Sequence, residues 1–164
     1  MPGWEIVDNK EKKALTNLFN GLKKEGVQKP IFYNGKLVKK FEKNFSKYIG
    51  AKYAVCVSSG TSAIKVALIA AGVKKGDEVI TQSFTFIAVV EAILAVGATP
   101  IITEVNDTLN MCPEDLKKKI TKNTKVIMPV HMLGVACEVD KINKIAKKNK
   151  ILVIDDNCES LGSK

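Results

Sequence analysis

The sequence predicts an α/β fold, with a mostly parallel sheet and helices on both faces. Two observations carry this expectation. From Tyr53 onward, five short apolar runs rich in β-formers alternate with stretches of helical period. Crossover helices of that kind set neighbouring strands parallel and cover both faces of the sheet. Small and polar residues also cluster directly after the runs, at 58–61, 83–86, 131 and 155–159. In open α/β sheets ligands bind outside the carboxyl ends of the strands, so these residues are the candidates for function.

Each element follows from local signals. Asp8 is the N-cap of a predicted helix over 9–24, closed by Gly26, with Leu15, Leu18, Phe19 and Leu22 as its apolar stripe. Pro30, Asn34 and Gly35 make 28–36 a loop, with an extended 31–33 inside it. Val38, Phe41, Phe45 and Ile49 line one side of a second helix over 37–49, ended by Gly50. The alternation then reads as strand 53–57 and helix 62–71, strand 78–81 and helix 87–96, and strand 100–104 and a short helix 113–120. Strand 125–130, helix 139–148 and strand 151–155 complete it.

The chain of 164 residues is long enough for one domain with a sizeable core. Its 46% hydrophobic and 26% charged residues suit a globular protein. No apolar run is long enough for a bilayer, and the first residues lack a signal-peptide pattern. The expected location is the cytoplasm, without a membrane partner. The net charge is +9, and all 26 basic residues are lysines. Lysine lacks the bidentate fork of arginine, and these lysines stand among Glu and Asp, so a solvated face is expected rather than a nucleic-acid surface. Cys56, Cys112, Cys137 and Cys158 show no Cys-x-x-Cys spacing and are expected to stay reduced.

The stretch that organises the chain is Tyr53-Ala-Val-Cys-Val-Ser-Ser-Gly-Thr-Ser62 and the helix after it. A helix start carries unpaired N–H groups and partial positive charge, and hydroxyls beside it make a ready phosphate site. The same residues also read as an ordinary cap in an α/β sheet.

Six segments in one order resemble the DegT/DnrJ/EryC1/StrS family, sugar aminotransferases that use pyridoxal phosphate (PLP) and have the aspartate-aminotransferase fold, PLP fold type I. They are Val57-Ser-Ser-Gly-Thr61, Gly76-Asp-Glu-Val-Ile80, Ser83-Phe-Thr-Phe86, Gly97-Ala-Thr-Pro100, Thr124-Lys-Val-Ile-Met-Pro-Val-His131 and Val153-Ile-Asp-Asp156. The resemblance implies that 36–164 is the first part of the large PLP-binding domain, truncated and without the small C-terminal domain. Residues 1–35 would be an N-terminal helix and a substrate-side loop. Gly60 and Thr61 match the phosphate-binding turn, and Phe86 matches the aromatic over one face of the cofactor ring, though by itself it reads as a core residue. Asp156 matches the catalytic carboxylate that keeps the pyridine nitrogen protonated. Asp155 stands where glutamate is usual. Glu159 stands where glutamine or histidine commonly lies near the ring hydroxyl. A carboxylate there is repulsive unless protonated or turned away. His131, the only histidine, matches a residue at the edge of the family's active site and reads equally as a structural histidine.

The activity implied is transfer of an amino group from glutamate or glutamine to a keto sugar, usually nucleotide-linked, in polysaccharide or secondary-metabolite sugar biosynthesis, by a homodimer. The lysine that holds the cofactor is expected beyond Asp156, and Lys164 is too close in the chain to match it, so this chain alone is expected to be inactive. Family members with histidine in that place are sugar dehydratases, which is the alternative reading. The implied seven-stranded order pairs strand 53–57 only with the last strand and sets it apart from 151–155.

Rival readings lack their signatures. No Gly-x-Gly-x-x-Gly follows a strand, no Gly-Lys-Ser/Thr marks a P-loop, and no Gly-x-Ser-x-Gly elbow supports a hydrolase using Ser59 or Cys158 with His131. Asp155, Asp156 and Glu159 could hold Mg²⁺. A non-catalytic, lysine-rich binding module is the alternative from another class.

Overall fold

The computed structural model describes residues 7–24 and 35–163. The expected stop at Gly26, the extended 31–33 and Lys164 lie outside the described residues. The chain forms two compact units, 1–55 and 56–164. This boundary of compactness lies C-terminal to the 35/36 division drawn from the family's layout, which divides the chain by role.

The first unit holds two helices. Helix α1 (Asn9–Lys24) begins as the sequence predicts. Asp8 Oδ1 accepts from the Lys10 N–H at 2.6 Å, and Glu11 accepts from the Asp8 N–H at 2.8 Å, so the cap is reciprocal. Helix α2 (Lys36–Ile49) ends at Gly50, whose φ of 70° is the left-handed conformation that favours glycine. Phe41 and Phe45 stack one turn apart, ring centroids 5.5 Å from each other.

The second unit is a parallel four-stranded sheet between two helical layers. Its elements are α3 (Gly60–Ala70), β1 (Glu78–Gln82), α4 (Ile87–Ala95), β2 (Thr99–Thr103), α5 (Pro113–Lys119), β3 (Thr124–Ile127), a 3-10 turn (Met132–Gly134), α6 (Val139–Asn149) and β4 (Leu152–Val153). The strand order is β2-β1-β3-β4, with every pairing parallel. Alternation along the strands fills both faces. Val79 and Val126 join Leu68 of α3 and Val89, Ala92 and Ile93 of α4 in one core. Ile80 and Ile127 point the other way, to Leu116 of α5 and Ile142, Ile145 and Ala146 of α6 in a second core. Helices on both faces are therefore observed.

Three expectations need correction, the first being strand 125–130, which ends at Ile127. Residues 53–57 are not a strand of the sheet. A strand is made by a hydrogen-bonded neighbour as much as by its residues, and the sheet's four strands supply none there. Tyr53 and Val55 are 73% and 77% exposed despite their apolar character. The last strand is two residues long rather than 151–155, but the ladder resumes beyond it. Val130 and Asp156 form an isolated parallel bridge, in which the Asp156 N–H donates to Pro129 O and the His131 N–H to Asp156 O, both at 3.0 Å. Pro129 has no N–H to give, which interrupts regular pairing between the two places.

Candidate functional site

The candidate residues collect at the carboxyl edge of the sheet. Helix α3 leads into β1 by a short connection, so it runs back along the sheet and its first turn stands at that edge. Ser59 caps it. Its Oγ accepts from the Ser62 N–H at 3.1 Å and donates to Ser62 Oγ at 3.0 Å. Capping therefore falls to Ser59. Gly60 and Thr61 are exposed in the first turn, and their N–H groups carry no bond among the described residues. A Cβ built on Gly60 meets no protein atom within 4 Å, so the space in front of this turn is open. The turn has what an anion site requires.

Phe86 is the residue before α4, and its carbonyl accepts from the Val89 N–H at 3.1 Å. Its side chain is 71% exposed, so it is an aromatic face open at the sheet edge and not a core residue. Asp156 is pinned through its backbone to the end of β3, as described above. Its Oδ1 accepts from the Cys158 N–H at 3.0 Å, which folds the following turn back under the carboxylate.

Asp156 and the two acidic groups near it in the chain, Asp155 and Glu159, have three different partners. Asp155 Oδ1 lies 3.5 Å from His131 Nε2. Glu159 accepts from the Leu133 N–H at 2.8 Å. Leu133 has a φ of 55°, a costly conformation for a branched residue, and the Glu159 carboxylate helps hold it. Glu159 thus has a structural duty that its sequence position did not reveal. Among the described residues no group of three acidic, His or Cys side chains is set to hold a metal ion, and nothing supports the Mg²⁺ alternative.

His131 is buried, with Nδ1 accepting from the Cys137 N–H at 2.9 Å. The Asp155 carboxylate, and after it the Cys137 side chain, favour the charged ring and would push its pKa up to about 9, against the opposing effect of burial, were Nδ1 free to take a proton. Protonating Nδ1 would set two N–H donors against each other at Cys137. That hydrogen bond is buried and fixed by backbone, so the neutral ring with its proton on Nε2 is the form this geometry holds. Both ring nitrogens are occupied, which leaves His131 unavailable as a base for Ser59 or Cys158.

The structure thus links Asp156, Asp155 and His131 through direct contacts, and Glu159 joins them through the turn at Leu133. Gly60 and Thr61 join them through the shared core, where Ile64 and Leu68 pack with Val130, Met132 and Ile154. The residues fit an aromatic phosphate: free N–H groups at an open helix start, an exposed aromatic face, and a carboxylate.

Residues 13–164 match the DegT/DnrJ/EryC1/StrS aminotransferase family. The chain belongs to this family. The chain is 44% identical over 135 residues to GDP-perosamine synthase of Escherichia coli O157:H7, covering 82% of this chain and 37% of that one. It spans about a third of the length of the curated relatives it matches, as these shares show. Among solved structures it resembles ntda from Bacillus subtilis with bound cofactor PMP, at a TM-score of 0.87 and 35% identity over 95% of this chain and 35% of that chain. It also resembles a GDP-4-keto-6-deoxymannose-3-dehydratase, at 0.80 and 33% over 96% of this chain and 40% of that one. The fold is therefore part of a PLP fold type I domain.

Sequence reasoning missed Cys137, whose N–H holds His131, and Gln82, whose buried carboxamide donates to Phe84 O and accepts from the Val130 N–H. Gln82 had a signal: a carboxamide ending an apolar run, directly before the polar loop at 83–86. Cys137 acts through its backbone N–H, which no sequence signal betrays.

Proposed function

We propose that the protein is a PLP-dependent sugar aminotransferase, moving an amino group from glutamate or glutamine to a nucleotide-linked keto sugar, as a cytoplasmic homodimer. The observation that carries the reading is the open start of α3 at the same sheet edge as Phe86 and Asp156. PLP, when bound, supplies an electron-accepting ring for transamination.

In this reading the N–H groups of Gly60 and Thr61, with the Thr61 hydroxyl, bind the phosphate, and the helix dipole favours its charge. Phe86 lays its ring against one face and excludes water from it. The Asp156 carboxylate holds a proton on the pyridine nitrogen, and the Cys158 N–H keeps that carboxylate oriented. Glu159 acts one step back, by fixing the turn at Leu133. Residues 1–35 serve the substrate side, and 36–164 the cofactor side.

A second reading, a sugar dehydratase on the same site, is favoured by the likeness to the dehydratase structure. Both readings share the cofactor residues. The test is binding of pyridoxamine phosphate, followed by its fluorescence. This probe has no aldehyde to react with the 26 lysines. Saturable binding at one site per chain, competed by PLP, supports the reading, and its absence overturns it. Amino transfer from glutamate to a nucleotide-linked keto sugar by the intact protein, with its cofactor-holding residue present, then separates aminotransferase from dehydratase.

A further inference from the structure

Gln82 ends β1 with its side chain fully buried at 0% exposure. All the hydrogen-bonding capacity of its carboxamide is used. Nε2 donates to Phe84 O at 3.0 Å and to Leu109 O at 3.4 Å. Oε1 accepts from the Met111 N–H at 3.2 Å and the Val130 N–H at 3.1 Å. One side chain therefore ties together three segments that are far apart in sequence: the loop before α4, the loop before α5, and the segment after β3.

Two of these segments carry site residues. Phe84 lies two residues before Phe86 in the loop leading to α4. Val130 is bridged to Asp156, and the next residue, His131, donates its N–H to Asp156 O. The ladder itself is irregular here, because Pro129 cannot donate and regular β3–β4 pairing stops at Ile127 and Val153. Beside the β1–β3 ladder and the Ser83 N–H bond to Thr103 O, this carboxamide is the side-chain tie between the Phe86 loop and the segment bridged to Asp156. Asn110, also buried, extends the tie. Its Oδ1 accepts from the Met132 N–H at 2.9 Å and its Nδ2 donates to Val135 O at 3.1 Å.

The geometry points to Gln82 as a positioning residue that sets the Phe86 ring against the Asp156 carboxylate and so aligns the cofactor ring between them. The role rests on the PLP reading given above. Gln82 touches neither cofactor nor substrate. It acts through Phe84 O and the Val130 N–H.

The test uses the full chain and pyridoxamine phosphate. Gln82→Leu removes all four bonds at similar volume. In Gln82→Glu an oxygen faces Phe84 O and Leu109 O, so one of the two donor bonds can return, and only when the new carboxyl is protonated. Three readouts are taken together: the melting curve, amide exchange at Val130 and Met111 without ligand, and the induced circular dichroism of the bound ring. Gln82→Leu is expected to melt cooperatively, exchange faster at Val130 and Met111, bind the probe at least about tenfold more weakly, and change or lose the induced signal. Gln82→Glu is expected to recover affinity and signal as pH falls, relative to wild type at the same pH. This recovery decides the matter if Gln82→Leu does not fold. A folded Gln82→Leu with unchanged affinity and induced signal, or a Gln82→Glu whose ratio to wild type stays flat with pH, overturns the role. If wild type itself fails to bind the probe, the PLP reading fails, and this role with it.

Discussion

At the scale of single residues, the helix start and the carboxylate make separable contributions. Thr61→Val keeps the shape and removes the hydroxyl, which is exposed and has no structural partner among the described residues. Loss of one charge-assisted hydrogen bond is expected to weaken phosphate binding by about 1.5–3 kcal/mol, roughly tenfold to a hundredfold, with the melting temperature unchanged. Unchanged affinity for pyridoxamine phosphate would count against placing the phosphate there. Asp156→Asn keeps the oxygen that accepts from the Cys158 N–H, so the fold is expected to survive within about 0.5 kcal/mol while turnover of the intact protein, measured with its cofactor-holding lysine present, is mostly lost. Near-normal turnover would remove Asp156 from the mechanism. His131, as the only histidine, gives a single ring signal. Were the pull of Asp155 to win, a folded pKa of about 9 against an ordinary 6.5 would mean stability fully present below pH 6.5 and lost as pH rises through 9. The Cys137 N–H at Nδ1 argues for the neutral ring, and so for no such loss. Ring nitrogen shifts at pH 7 are expected to show Nε2 protonated and Nδ1 bare, and an imidazolium at that pH would refute this assignment.

At the scale of elements, most of the second unit was legible because period and punctuation agree. Pro113 opens α5 and Gly97 follows α4 at a φ of 80°, and the strands between them are short apolar runs. Residues 53–57 have the same local character and yet form no strand, because pairing is not a local property. The start of α3 moved two residues earlier than the apolar period indicates, since Ser59 caps through its Oγ and takes Gly60 and Thr61 into the helix. That detail places Gly60 and Thr61 as the open first turn, and it is testable. Ser59→Ala is expected to cost about 1 kcal/mol in denaturant unfolding, whereas Ser58→Ala, whose hydroxyl only approaches Ser62 Oγ at 3.4 Å, stays within about 0.5 kcal/mol. Equal effects at the two positions would reassign the cap. The placement of Phe86 and Asp156 just after predicted strands marked them as candidates, but their roles came through resemblance alone. Their chemistry depends on exposure and on a backbone bridge, neither of which a residue type declares.

At the scale of the whole molecule, burial is unevenly divided. Every buried residue among those described, from Leu68 to Ser160, belongs to the second unit, where two cores flank the sheet. In the first unit no described side chain of α1 or α2 is buried, and Leu15, Phe19, Phe41, Tyr48 and Ile49 are exposed. Helices gain most of their stability from packing an amphipathic face, and a single helix of this length is marginal in water. Opening free energies should therefore differ between the units, because the local cost of opening follows the apolar contacts it breaks. In dilute chain, the amides of α2 are expected to exchange faster than those of β1 and β3 by roughly two orders of magnitude or more. The proposed homodimer sharpens the expectation. If association covers the row formed by Val38, Phe41, Phe45 and Ile49, protection of α2 should rise with protein concentration while that of β1 and β3 does not. Strong protection of α2 in dilute chain, at a level matching the sheet, would show that the two helices draw their stability from within the chain and would remove the reason to expect a partner on that face.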